Sequence, residues 1–414
     1  MADTDIRVTD GAVFFTDVPL THPLILAGGV VDSVAMATVT LTVVNRAGHR
    51  AQGIGAAMLS VPWSWPAPGP ITDRDAALRE LTVTLAAKAD QVGEGNPFLL
   101  WQRLAAMAQE DPRAADVPSL ARMLCVAAID NAAHDGWSRA AGAGLYELYA
   151  AGAVADACRR IFAVDLGPSG YRLGPARRRL PVQHVVGLAD AIDADSPLGQ
   201  RIRADGVREL KVKLSGDAEV DLHRTQQVLM TAQSLGGRIG LALDPNEGYP
   251  TVDEFDALLA ALSEVGVLRS VRYIEQPVPR SVLDLQPPAG QWPVPTLADE
   301  GLTDPTDMPA FLRRGWSGAV IKASKGQSFS ILCHAYARAR GAYVTVQDLT
   351  AVDIALLHSA RLASQLPLSY PAFECNSLQY APDANETLAS RAPDLLTVRS
   401  GSIGLDPPAP CGLY

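Results

Sequence analysis

The chain lacks most of what would commit it to a disulfide scaffold, a membrane or a nucleic acid. Its 414 residues include only five cysteines, Cys125, Cys158, Cys333, Cys375 and Cys411. They are scattered, odd in number and without the paired spacing of a zinc site, so a disulfide framework is excluded. Thiols kept reduced in a cytoplasm are expected instead. No uninterrupted apolar run approaches the roughly 20 residues of a membrane span. The leading MADTDIRVTD is acidic and has no apolar core, so no secretory signal is expected. Positive charge is scarce, and the formal net charge of −10 is the wrong sign for a nucleic-acid partner. The one basic cluster, Arg177 to Arg179, reads as solvated surface. Histidine is a poor source of ligands: His134, His223, His334 and His358 all fall in helical segments and read as structural.

What is present is a chain able to bury a large core, 48% hydrophobic and 19% charged. From about residue 180 two textures alternate. Short β-branched runs (PVQHVVG, RELKVKL, RIGLALD, VRYIEQP, VPTLADE, GAVIKAS, AYVTVQD and finally AFEC) are separated by segments of helical periodicity, several closed by glycine. Strands alternating with helices imply parallel βαβ units. Eight strands of this regularity predict an α/β barrel over about 181–380, with active residues at the carboxyl ends of the strands. Residues 1–150 predict a separate α+β domain, strand-rich at first and helical near 74–90, 97–110 and 117–141. Residues 151–180 read as a connector.

Acidic residues end consecutive strand-like runs: Asp244 in LALDPN, Glu275 in YIEQP, Asp299 and Glu300 in TLADE. If parallel strands bring Asp244, Glu275 and Asp299 to one point, each unpaired carboxylate pair at about 4 Å costs roughly 4 kcal/mol at an effective dielectric of about 20. A divalent cation with oxygen ligands removes that repulsion, and Mg²⁺ suits carboxylates, with Mn²⁺ as an alternative ion. Lysines surround these acids. Lys211 and Lys213 are two apart on one strand and project to the same face, and Lys322 follows on the sixth strand.

These elements resemble the enolase superfamily, in its mandelate racemase and muconate lactonizing branch. The matching pieces are the K-x-K of Lys211 and Lys213, the D-x-N of Asp244 and Asn246, and the E-Q-P of Glu275 to Pro277. The A-D-E of Ala298 to Glu300, Lys322 in I-K-A-S-K-G and Glu374 on the last strand continue it over roughly residues 180–375. The segment AAIDNAAHDGWSRAAG, 127–142, is similar to a helix of that family's capping domain. The resemblance implies a modified (β/α)7β TIM barrel under an amino-terminal α+β capping domain, with residues 381–414 packing back on the cap. It implies a Mg²⁺ enzyme that removes the proton α to a substrate carboxylate, a small-molecule acid. Asp244, Glu275 and Asp299 would be ligands and Lys213 a base. A homo-oligomer is implied by the likeness alone. Three departures stand out. Gly326 is followed by Gln327 where relatives carry Gly-Gly, the amino-terminal strand ends in GIGAAM, and the racemase-type His–Asp pair is absent.

The chemistry explains why such residues are needed. The enediolate formed on deprotonation must be stabilised in a dry pocket, which a cation at the carboxylate does. Two lysines about 6–7 Å apart repel by roughly 2.5 kcal/mol, enough to bring one towards a base's useful pKa. Lys213, nearer the strand end, is the expected base and Lys211 its electrostatic partner. Lys322, from across the barrel, would allow proton return from the other face, or would stay protonated beside Glu300. Glu374 is an acid or a substrate hydrogen-bonder. Asn246 is either substrate-facing or ordinary turn chemistry, and Gln347 and Asp348 either polarise the pocket or cap the next helix. Lys325 reads as loop surface. Trp63 and Trp65, in SVPWSWPAP, belong to a lid or an interface patch, and loops at Leu24 to Gly29 and Ser60 to Pro66 are expected to close over the mouth. Isomerisation (racemisation, epimerisation or cycloisomerisation) is the leading expectation. Dehydration of an acid sugar or other carboxylate, a lyase reaction, is the enzymatic alternative, and a catalytically silent barrel acting as a binding or structural protein the non-enzymatic one.

Overall fold

A computed structural model describes residues 2–26, 29–167, 170–281 and 292–414. The chain opens with a four-stranded antiparallel sheet built from β1 (Ile6–Leu26), β2 (Gly29–Asn45), β3 (Arg50–Leu59) and the short β4 (Glu94–Gly95), in the order β3-β2-β1-β4. Helices α1 (Val61–Ser64), α2 (Ile71–Ala87), α3 (Pro97–Glu110) and α4 (Ser119–Ala141) follow, with α5 (Leu145–Leu148) and α6 (Val154–Phe162) after them. Local sequence sets their ends. Asn96 caps α3 by accepting from Leu99 N, with Pro97 at the first helical position. Gly142, at φ +63°, closes α4. The sheet meets α4 closely because Gly53 and Gly55 lie against it; a Cβ on either would stand 2.1–2.2 Å from the α4 backbone.

The second layer is a ladder of seven parallel strands in consecutive order: β5 (Arg179–Pro181) precedes it, then β6 (Gln183–Val186), β7 (Glu209–Lys213), β8 (Gly240–Asp244), β9 (Val271–Glu275), β10 (Thr296–Ala298), β11 (Gly318–Ile321) and β12 (Tyr343–Val346). Between them run α7 (Pro197–Arg203), α8 (Ala218–Gly236), α9 (Val252–Glu264), α10 (Met308–Arg313), α11 (Gln327–Arg340) and α12 (Asp353–Gln365). A capping box of Thr251 and Glu254 starts α9. The ladder's two edges are joined through residues 369–373. Gln183 N donates to Phe373 O at 2.9 Å and Phe373 N to Pro181 O at 2.8 Å, while Ser369 N donates to Val344 O at 2.9 Å on the other side. The eighth stave is thus present as bridging bonds in place of a full strand.

One stretch differs from the sequence expectation. Residues 151–180 are more than a connector, because α6 buries Val154, Ala157 and Cys158, and Tyr171 is buried beyond it. The carboxyl-terminal stretch adds β13 (Ser402–Gly404), paired antiparallel with β5. Its last residues then reach α4, where Leu413 N donates to Asp135 Oδ1 at 2.7 Å and Gly412 N to Ser138 Oγ at 2.8 Å. Among the described residues no helix is long and apolar enough to cross a membrane.

Candidate active site at the strand ends

Strand geometry gathers the predicted residues at one end of the ladder. Lys213 and Asp244 are the last residues of β7 and β8 and stand in register. Glu275 ends β9, Asp299 follows β10 directly, and Lys322 follows β11. All are buried, with Lys211, Glu300, Gln347, Asp348 and Glu374.

The carboxylates do not meet at one bare point. Lys211 Nζ stands among three of them, 3.0 Å from Asp244, 2.8 Å from Glu275 and 2.7 Å from Glu374. Asp299 lies with a different pair, 2.6 Å from Lys322 Nζ and 3.1 Å from Lys325 Nζ. Lys213 Nζ donates to Asp244 Oδ2 at 2.6 Å and to Asn246 Oδ1 at 3.0 Å. Ammonium groups thus do part of the neutralising that the sequence argument gave to a cation alone. In keeping with this, no group of three His, Cys, Asp or Glu that could hold a metal ion is found among the described residues. Lys211, the expected electrostatic partner of the base, is held in its charged form. Burial pulls its pKa down, but Asp244, Glu275 and Glu374 more than reverse that and leave it well above the usual value.

The donor set still suits a hard cation. Glu275 Oε1 is buried with neither a hydrogen bond nor an ion-pair partner, and Glu275 Oε2 and Asp299 Oδ1 have only the ammonium groups of Lys211 and Lys325 beside them, a deficit that an oxygen-seeking ion relieves. Burial, with Asp244 and Asp299 adding to it, pushes Glu275 up to about 8. Burial also acts on Asp244 and Asp299, but Lys211 and Lys213 hold the first, and Lys322 and Lys325 the second, below the ordinary carboxylate range.

A small cavity of about 30 Å³ lies beside these groups, bordered by Lys211, Lys213, Lys322, Asn246, Asp348 and Glu374. Its roof comes from the amino-terminal sheet and α1: Leu24, Leu26, Val31, Ser60 and Trp63. Ala27 and Gly28 of the expected Leu24-to-Gly29 loop lie outside the described residues. Trp63 lies on the lid side of the two expectations. Its ring centroid is 4.6 Å from Lys322 Nζ, and its Nε1 donates to Glu300 Oε1 at 2.9 Å. Glu300 also accepts from Asn246 Nδ2 at 2.9 Å, and burial beside Asp299 pushes it up to about 7. Trp65 is not among the cavity's lining residues. Gln347 turns into the barrel interior, donating to Tyr273 and Thr345 and accepting from Glu374 N.

Lys325, expected at the loop surface, is fully buried and donates to Asp299 O at 2.6 Å and Leu302 O at 3.2 Å. Its place in a G-terminated loop gave no periodic signal for burial. A second group escaped the sequence reading. Asp130 and Asn131 of α4 grip the loop between β11 and α11: Asn131 donates to Ala323 O at 3.2 Å and accepts from Gln327 N at 2.8 Å. Asp130 accepts from Ser328 N at 2.7 Å and Ser328 Oγ at 2.6 Å. Three of the four histidines read as structural are buried in hydrogen bonds: His134 bonds Ser328 and Tyr149, His334 bonds Tyr171, and His358 bonds Gln327, whereas His223 is exposed on α8.

No family model matches the chain. It is 27% identical over 232 residues to muconate cycloisomerase 1 of Rhodococcus opacus, a match spanning 55% of this chain and about half, 53%, of that relative. A dipeptide epimerase of Enterococcus faecalis, solved with Mg and L-Leu-L-Tyr, superposes with a TM-score of 0.68 at 18% identity, covering 98% of this chain and 99% of the other. A mandelate racemase/muconate lactonizing protein of Herpetosiphon aurantiacus gives 0.65 at 20% identity, covering 100% and 98%. A capping sheet over a parallel strand ring is thus the fold that this chain shares with these dipeptide epimerase and mandelate racemase/muconate lactonizing structures.

Proposed function

We propose that the chain is an isomerase that abstracts the proton α to a substrate carboxylate. The observation that supports this best is the pairing of Lys213 and Lys322 on the rim of one cavity, with Asp244 and Asp299 each holding one of the two ammonium groups. Asp244, Glu275 and Asp299 would hold Mg²⁺, and the ion would stabilise the charge that develops on the substrate carboxylate. Lys213 takes the α-proton, its Nζ aimed by Asn246 and Asp244. Lys322, held under the Trp63 ring, returns a proton from another stave, which favours racemisation or epimerisation. Lys211 neutralises Glu374 and Glu275. The roof of Leu24, Leu26 and Val31 keeps water from the intermediate. Dipeptides are one candidate class, because the structural relatives were solved with them. A cytoplasmic homo-oligomer completes the proposal, on the family likeness alone.

The test is incubation with Mg²⁺ and a panel of dipeptides, acylated amino acids and dicarboxylates in D₂O. Deuterium at the α-carbon without loss of water is the expected result. No exchange with any acid, on protein that takes up Mg²⁺, refutes the proposal. Exchange coupled to water loss shifts it to a dehydratase.

A further inference from the structure

A second cavity, of about 380 Å³, lies apart from the catalytic one and shares none of its lining residues. It opens where β6, the loop after it and α7 meet the short helix α13 (Ser377–Tyr380) and His22 of β1. Its volume is that of a small-molecule site. Buried Leu198, with Pro197 and Leu378, supplies an apolar floor. Beside that floor stands His184. Its neighbour Gln183 accepts from Tyr273 inside the strand ring, so strand alternation turns His184 outward to the cavity. His184 is only 5% exposed, and burial, with Arg201 adding to it, pushes its pKa down to about 3. The ring is therefore neutral and carries one proton. Gln379 decides which nitrogen holds it. Its Oε1 accepts from Val185 N at 2.9 Å and its Nε2 donates to Val185 O at 3.0 Å, while the same Nε2 faces His184 Nε2 at 3.5 Å. An amide nitrogen only donates, so His184 Nε2 is the acceptor and Nδ1 bears the hydrogen. That N–H has no hydrogen-bond partner among the described residues.

Open donors outnumber open acceptors here. Arg201 gives Nη1 to Asp205 Oδ2 at 2.7 Å and makes no other hydrogen bond among the described residues. The carboxylate on the rim, Asp190, is already engaged: its Oδ2 accepts from Gly187 N at 2.8 Å, and Arg224 stands beside it, donating to Asp190 O at 3.3 Å. A buried donor left open is costly, and a carboxylate satisfies a guanidinium and an imidazole N–H together. We infer that this cavity is a second ligand site for a small monocarboxylate with an apolar body, its carboxylate at His184 Nδ1 and Arg201 and its body over Leu198 and Leu378. The site touches two elements that also border the catalytic cavity. Asn376, just before α13, lines the catalytic cavity, and Leu378 lines this one. The ring of His22 lies 4.7 Å from that of Tyr380, and Thr21 Oγ1 donates to Tyr380 O at 3.1 Å. These bonds belong to the strand whose Leu24 and Leu26 form the catalytic roof.

Isothermal titration of the Mg²⁺-supplemented protein with phenylacetate and with phenylacetamide, its uncharged isostere, tests this. The acid should bind saturably and at least about tenfold more tightly than the amide. Arg201→Gln should weaken the acid by about tenfold or more. Ala189→Trp, at the exposed rim, should weaken both ligands by filling the space. Lys213→Ala, in the catalytic cavity, should leave the acid's affinity within about twofold, as expected of a distant position. No saturable binding of phenylacetate, equal binding of acid and amide, or unchanged affinity in folded Arg201→Gln overturns the site. Loss of binding in Lys213→Ala with retention in Ala189→Trp overturns it too, because the probe then sits in the catalytic cavity. Should Arg201→Gln not fold, Ala189→Trp and the comparison of acid with amide decide.

Discussion

The indole of Trp63 lies over the ammonium of Lys322, centroid to Nζ 4.6 Å, although 259 residues separate them in the chain. A desolvated contact of this kind contributes about 2 kcal/mol. It ties a lysine on the strand ring to a lid from the amino-terminal part. Trp63→Ala should lower kcat/KM by about tenfold or more, while Trp63→Phe, which keeps a ring but loses the bond to Glu300, should fall between. Steady-state kinetics on the best exchanging acid checks this. An unchanged Trp63→Ala enzyme would remove the ring from the mechanism.

The two lysines should separate by stereochemistry. Lys213→Ala should reduce α-exchange by about 100- to 10,000-fold for the epimer it faces. Lys322→Ala should keep exchange into that epimer yet abolish its conversion to the other. Proton NMR in D₂O with each pure epimer reads both outcomes. Identical losses in both variants for both epimers would argue against a two-base exchange.

Glu275 Oε1 has no hydrogen-bond or ion-pair partner, and Lys211 alone faces Oε2, so this carboxylate has an oxygen open to a cation. Calorimetry should detect Mg²⁺ uptake by the wild-type protein, and Glu275→Gln should weaken it by on the order of 100-fold. Chelation should abolish α-exchange, and added Mg²⁺ should restore it. Undiminished affinity in Glu275→Gln would exclude that residue as a ligand.

Asp130 supplies a pH dependence of stability. Burial pushes its pKa up to about 7, against the opposing bonds from Ser328. The folded state therefore binds the proton more tightly than the unfolded chain. Its stabilising contribution is complete below the unfolded value of about 4 and is lost as pH rises through about 7. Asp130→Asn should gain stability relative to wild type between pH 4 and pH 8, by on the order of 1–4 kcal/mol. Denaturant melts at both pH values measure the difference, and a pH-independent difference would contradict it.

Strand ends were legible because period-2 runs closed by acids and lysines leave few alternative placements. Lys213, Asp244, Glu275, Asp299 and Lys322 needed only the assumption that successive strands are parallel neighbours. What each group pairs with was not legible. Sequence spacing puts Lys211 and Lys213 on one face but does not say that three carboxylates would enclose the first of them. Contacts across long stretches, such as Trp63 with Lys322 or Asp130 with Ser328, carry no local periodicity. Lys325 was misread for the same reason: its burial comes from Asp299 and Leu302, on another strand end.

The bonds of Gly412 and Leu413 to α4 carry a practical corollary. The final residues brace the same helix whose Asp130 and Asn131 hold the loop after Lys322. A side chain at Gly412, whose Cβ would stand 2.6 Å from Asp135 Oδ1, would strain that brace and, through α4, reach the loop after Lys322.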